Sequence, residues 1–150
     1  MHYYNVKVGL AQIDPTVGDF HGNRDKIIQY IKKGEEQDCD FILFPEMVIT
    51  GYPVQDLIFI HDFVDNNLKI LDQIVQEVKK SIVIIGCITK DSKKSDSLTP
   101  FHNSAAIIHP NGETSFVHKH LLPNYDVFDE KRYFSSGEEF HVIDFHGLKI

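Results

Sequence analysis

From residue 6 to residue 89 the hydrophobic period switches back and forth between that of a strand and that of a helix. Residues 6–13 alternate, which predicts a strand. Ile27, Ile28 and Ile31 then share one face of a predicted helix running from an Asn23 cap to Gln37. Residues 41–45, Phe-Ile-Leu-Phe-Pro, have no polar face, the pattern of a strand covered on both sides. Val64, Leu68, Leu71, Val75 and Val78 recur at helical spacing within a second predicted helix over residues 62–79. Residues 82–89 are again a continuous apolar run. Few architectures accept strand–helix–strand–helix–strand other than a layered α/β fold with helices packed on the sheet.

Antiparallel pairing is expected afterwards. Pro110-Asn111-Gly112 separates two short apolar runs, residues 104–109 and 114–118, and reads as a hairpin turn. His146-Gly147 does the same between residues 140–145 and 148–150. The polar stretch 90–100 reads as a surface loop, and residues 119–137 carry no clear period. The sheet is therefore expected to be mixed. The last expected strand is cut at Ile150, which predicts an incomplete domain with an uncovered sheet edge. Either self-association into a homo-oligomer or loss of order in residues 119–137 should follow.

The 150 residues suffice for one domain with a sizeable core, and 42% hydrophobic with 25% charged is ordinary for a soluble protein. A net charge of −7 without a basic stripe argues against nucleic acid and anionic membrane surfaces as partners. Cys39 and Cys87 are too few for a disulfide framework and read as free structural thiols. With no signal-peptide pattern and no apolar run of spanning length, the expected compartment is the cytoplasm. The nine histidines, among them His102, His109, His118 and His120, do not form a zinc-spaced set, so no metal site is expected. Gly9, Gly18 and Gly22 do not make a dinucleotide fingerprint.

Three charged residues stand where chemistry is commonly done. Glu46 follows the buried strand directly, at the carboxyl edge where open α/β sheets bind ligands; it is a general-base candidate or a solvent-facing strand end. Lys119 leads from a strand into Leu121-Leu122-Pro123, and is either an oxyanion-stabilising cation or a surface lysine. Glu130 lies in Phe128-Asp-Glu-Lys-Arg-Tyr-Phe134, where the aromatics suggest packing and the charges an ion-pair cluster, so by itself it reads first as structural.

Glu46 after an apolar strand and Lys119 before Leu-Leu resemble the nitrilase, or carbon–nitrogen hydrolase, superfamily. Residues 10–19 (Leu-Ala-Gln-Ile-Asp-Pro-Thr-Val-Gly-Asp) and 44–53 (Phe-Pro-Glu-Met-Val-Ile-Thr-Gly-Tyr-Pro) are similar to the glutaminase domains of glutamine-dependent NAD synthetases. So are residues 119–134 (Lys-His-Leu-Leu-Pro-Asn-Tyr-Asp-Val-Phe-Asp-Glu-Lys-Arg-Tyr-Phe), the most specific of the three. The resemblance runs from Val6 to Ile150. It implies an α-β-β-α sandwich, here incomplete at its C-terminus, and a Glu–Lys–Cys triad in which Glu46 is the base and Lys119 the oxyanion cation. Glu130 would be the second glutamate, and Tyr52 and Tyr125, each six residues after a catalytic position, would line the glutamine pocket.

The resemblance also implies a cysteine nucleophile in an Ile-Cys-Glu-Asp-like segment, expected just past Ile150. Cys39 and Cys87 do not stand in that context, so the 150-residue chain is expected to be inactive by itself. Glutamine is the implied substrate, and a synthetase domain of the same parent chain, absent here, is the implied partner. ATP and Mg belong to that domain, and no cofactor is expected in these residues. A stand-alone amidase or carbamoylase of the superfamily and a non-catalytic binding fragment are the alternatives.

Overall fold

The computed structural model describes residues 5–91 and 99–150. Five strands form one sheet in the order β1-β2-β3-β4-β5: Val8–Leu10, Phe41–Leu43, Ile82–Lys90, Phe101–Ile108 and Thr114–His118. β1, β2 and β3 are parallel, while β4 and β5 add on antiparallel, so the sheet is mixed as expected. The helices α1 (Phe20–Glu36) and α2 (Phe63–Val75) are the two crossovers between the parallel strands. Ile27, Ile31, Ile70, Leu71 and Ile74 pack from them onto Ile42, Val83, Ile85, Ala106 and Ile108 of the sheet. Each fully buried isoleucine of this cluster is worth roughly 1.5–3 kcal/mol.

The opposite face carries Phe41, Ile82 and Ile107. A small hairpin, β6 (Asp144–Phe145) with β7 (Leu148–Lys149), lies over it, with Phe145 edge-on to Phe41 at 4.9 Å. Its turn has positive φ at both His146 (52°) and Gly147 (83°), the geometry that the His-Gly pair signalled. Among the described residues the layers run helices, five-stranded sheet, hairpin, which is the α-β-β part of the expected sandwich. No helix among them is long and apolar enough to cross a membrane.

Five local expectations are corrected. The first strand is only Val8–Leu10; Ala11 N–H still donates to Leu43 O at 2.9 Å, and the chain then leaves the sheet edge. The cap of α1 is Asp19, whose carboxylate accepts from Gly22 N, and Asn23 lies inside the helix. Asn23 is fully buried and its amide links Thr16 N–H, Thr16 O and Ile49 O, stapling the loop before α1 to the loop after β2. A polar residue with three tertiary partners has no need to serve as a cap.

α2 ends at Val75, short of the expected Lys79: Glu77 and Val78 N–H close tight turns on Ile74 O and Val75 O, and beyond them the buried Glu35 carboxylate accepts from Lys79 N and Lys80 N, both at 2.8 Å. Its inner stripe is also rotated. Asn67, Ile70 and Ile74 are buried where Leu68 and Val75 were expected, because the Asn67 amide donates to Ile88 O at 2.7 Å in β3. Of the expected loop 90–100, Lys90 closes β3 and residues 92–98 lie outside the described residues.

Residues 119–137, without a period in the sequence, are held by tertiary bonds instead. Ser135 N–H donates to Phe101 O at 2.8 Å and Gly137 N–H to Lys119 O at 2.9 Å. Leu122 and Phe134 insert into a second apolar cluster with Met47, Val54, Ile58, Phe63, Val64 and Ile88.

Candidate active site

Pro45 cannot donate to the sheet, so β2 pairing stops and the chain turns. The turn is tight: Met47 has φ 48°, and Thr50 and Gly51 N–H both return to Met47 O. Met47, Val48, Ile49 and Thr50 are all buried, which leaves Glu46 as the half-exposed residue of a rigid corner. That corner crosses directly over Gly86 of β3. A Cβ at Gly86 would lie 2.4 Å from both Met47 N and Pro45 O, so only glycine fits. Gly86→Ala is expected to push the Glu46 corner off the sheet, at about 1–3 kcal/mol of stability and roughly 100-fold in kcat if Glu46 is catalytic. Thermal melting and steady-state kinetics of the variant measure both.

Register brings the lysine to the same place. Gly86 pairs with Ala105, Ile88 with Asn103 and Ala105 with Val117, so these residues share one face of the sheet. Lys119, one residue past β5, continues that face, its N–H donating to Asn103 O at 2.8 Å. Glu130 opens a short 3-10 turn, Glu130–Arg132, whose first N–H donates to Pro123 O. With Leu122 and Phe134 anchored in the apolar cluster on either side, the carboxylate is driven inward and is only 5% exposed.

The three charges meet. Lys119 Nζ lies 2.9 Å from Glu46 Oε1 and 3.0 Å from Glu130 Oε1. Tyr52 Oη donates to Glu130 Oε1 at 3.3 Å, and the Asn103 amide nitrogen donates to Glu46 Oε1. Glu130 Oε2 is buried without a hydrogen-bond partner among the described residues. Burial pulls the Lys119 ammonium pKa down, but the hydrogen bonds and charges of Glu46 and Glu130 outweigh it and hold the group above its ordinary value. Tyr52 is raised by burial first, then by the charges of Glu130 and Glu46. Beside Glu130 and Tyr52 opens a recess of about 320 Å³ bounded by Val54, Val127, Phe128 and Tyr133. A second, of about 290 Å³, opens beside Glu46, Lys119 and Asn103.

Glu46, Lys119, Glu130 and Tyr52, singled out in the sequence, therefore form one cluster. Tyr125 does not join it: its ring is exposed and packs on Phe128 at 5.7 Å. Asn103 and Gly86 belong to the site and were not foreseen. Glycine within a continuous apolar strand is a signal of close backbone approach, and asparagine within β4 is a polar residue needing a buried partner. Cys87 is fully buried under the helices, and burial pushes its thiol up to about 12. Cys39 is buried in the same cluster, against Gly9.

His102 and His118 stack at 4.2 Å beside a polar recess of about 480 Å³; the first bonds Ser135 O and Asp91, the second Ser104 Oγ. Among the described residues no group of three or more His, Cys, Asp or Glu is placed to hold a metal ion.

The family model for carbon-nitrogen hydrolases matches residues 7–150. The chain belongs to that family. Among the carbon–nitrogen hydrolases it is similar to the glutamine-dependent NAD(+) synthetase of Thermotoga maritima, 36% identical over 148 residues. The match covers 97% of this chain and 24% of that protein. The synthetase of Aquifex aeolicus is 38% identical over 141 residues, 94% of this chain and 24% of its own length. The solved glutamine-dependent NAD+ synthetase of Acinetobacter baumannii superposes with a TM-score of 0.85 at 35% identity, covering 96% of this chain and 26% of that one. An amidase from Nesterenkonia sp., 19% identical, shares the fold with a TM-score of 0.77 over 96% of this chain and 53% of its own. This carbon–nitrogen hydrolase chain thus spans about a quarter of the length of the NAD synthetases it matches.

Proposed function

We propose that Glu46, Lys119 and Glu130 are the glutamine-hydrolysing machinery of a glutamine-dependent NAD synthetase. The observation that carries this reading is the Lys119 ammonium clamped between two carboxylates, in a chain whose relatives at 36% and 38% identity are such synthetases. A cysteine thiol, ordinarily near pKa 8.5, needs a base beside it to become a nucleophile. Glu46, half-exposed at the rim, takes that proton as the thiolate attacks the glutamine side-chain amide, and delivers it to the departing ammonia. Lys119 faces the developing oxyanion and stabilises it by charge and hydrogen bond. Glu130, buried and bonded to Lys119 and Tyr52, holds the ammonium in place. Water, activated by Glu46, then releases glutamate from the thioester.

In this reading the attacking thiol is supplied from outside residues 1–150, since Cys39 and Cys87 are packed in the helix–sheet core. The ammonia is used by a synthetase domain with ATP and Mg to amidate a deamidated dinucleotide.

The deciding experiment uses the complete gene product. It should form NAD with glutamine as nitrogen donor, and Glu46→Gln should lose that reaction while added ammonia restores it. Preferential hydrolysis of simple aliphatic amides or carbamoyl compounds, with no glutamine-dependent NAD formation, would overturn the reading in favour of a stand-alone amidase.

A further inference from the structure

Glu46 receives two donors on the same oxygen: Lys119 Nζ and the Asn103 amide both reach Oε1. They come from different anchors, a flexible side chain past the end of β5 and a short one in the middle of β4. A carboxylate held by a long lysine alone swings with it, and its two oxygens exchange places. Asn103 removes that freedom. It is 4% exposed, lies between β3 and β5, and is opposite Ile88 in the ladder. Its own carbonyl accepts the Lys119 N–H at 2.8 Å. One residue therefore sets the backbone of the cation and the carboxylate of the base. The amide orientation is dictated by charge, since turning it over would set its oxygen against the Glu46 carboxylate.

We propose that Asn103 is a positioning residue for Glu46, presenting Oε2 as the oxygen that takes and returns the proton; the inference rests on Glu46 being the base. A neutral amide suits the role. It keeps donating at every pH and cannot compete for the proton.

The test uses the complete gene product and three variants: Asn103→Leu and Asn103→Asp, both close in size to asparagine, with Glu46→Gln alongside. Asn103→Leu should lower kcat for glutamine about 10- to 100-fold with little change in KM, and should move the acid limb of the kcat/KM profile upward. Asn103→Asp, which sets a like charge on Glu46, should move that limb further, by about one pH unit or more. A packing role alone lowers the melting temperature without moving the limb. If Asn103→Leu does not fold, Asn103→Asp carries the test. Wild-type kcat and an unmoved acid limb in a folded variant overturn the proposal, provided Glu46→Gln is inactive. An active Glu46→Gln sinks the assignment of the base instead.

Discussion

Lys119→Ala in the complete gene product should lower kcat for glutamine by about 10²- to 10³-fold, the cost of removing one oxyanion donor from a preorganised site. It should also destabilise. Lys119 is the cation on both carboxylates, and Glu130 already has one oxygen buried without a partner among the described residues. Removing the ammonium leaves that buried acid facing Glu46, a loss of roughly 1–3 kcal/mol. Thermal melting with glutamine kinetics separates the two effects, because Lys119→Arg should restore charge and part of the stability but not the geometry of a compact ammonium.

The alkaline limit gives an independent check. Folding raises the Lys119 pKa, burial opposing and the two glutamates prevailing. The stability from the clamp is therefore complete below the unfolded value of 10.5 and fades as pH climbs through the higher folded value. Between 10.5 and that folded value the wild type should lose stability more steeply than Lys119→Ala. Equal alkaline slopes would show that the clamp does not form in solution.

A polypeptide of residues 1–150 alone should release no measurable ammonia from glutamine. In the proposed reading Glu46, Lys119 and Glu130 assist a nucleophile and do not replace one, and losing one member of a cooperating set costs about as much as losing all. Burial holds the Cys87 thiol in its protonated, unreactive form. Cys87 is also packed under the helices, as is Cys39. Cys39→Ala and Cys87→Ala in the complete product should accordingly leave kcat unchanged, whatever they cost in stability. Turnover by the short polypeptide at a rate comparable to the complete one would make one of these thiols the nucleophile and dismantle the assignment.

Hydrophobic period carried the sequence a long way. It placed both helices and the three strands they connect, because an amphipathic stripe and a two-sided apolar run each call for burial against another layer; which strands lie parallel and side by side came from the structure. Turn chemistry placed both hairpins, because positive φ at His146-Gly147 and at Gly112 is a local demand met by local residues. Resemblance, and not periodicity, raised Glu46, Lys119 and Glu130 above ordinary strand-end and loop charges.

Tertiary structure decided the buried polar partnerships that build the site and brace the core. Asn23, Glu35, Asn67 and Asn103 look like caps, surface residues or interruptions in the sequence, yet each is buried and bonded to backbone or side chain far away. Asn103 meets Glu46 across 57 residues, Lys119 meets Glu46 across 73, and Tyr52 meets Glu130 across 78. Burial is written in the pattern of apolar residues, which repeats within a single element. A hydrogen bond needs a direction and a distance between two elements, and these exist only once sheet register has set Asn103 beside Lys119 and Gly86 has let the Glu46 corner down onto the strand.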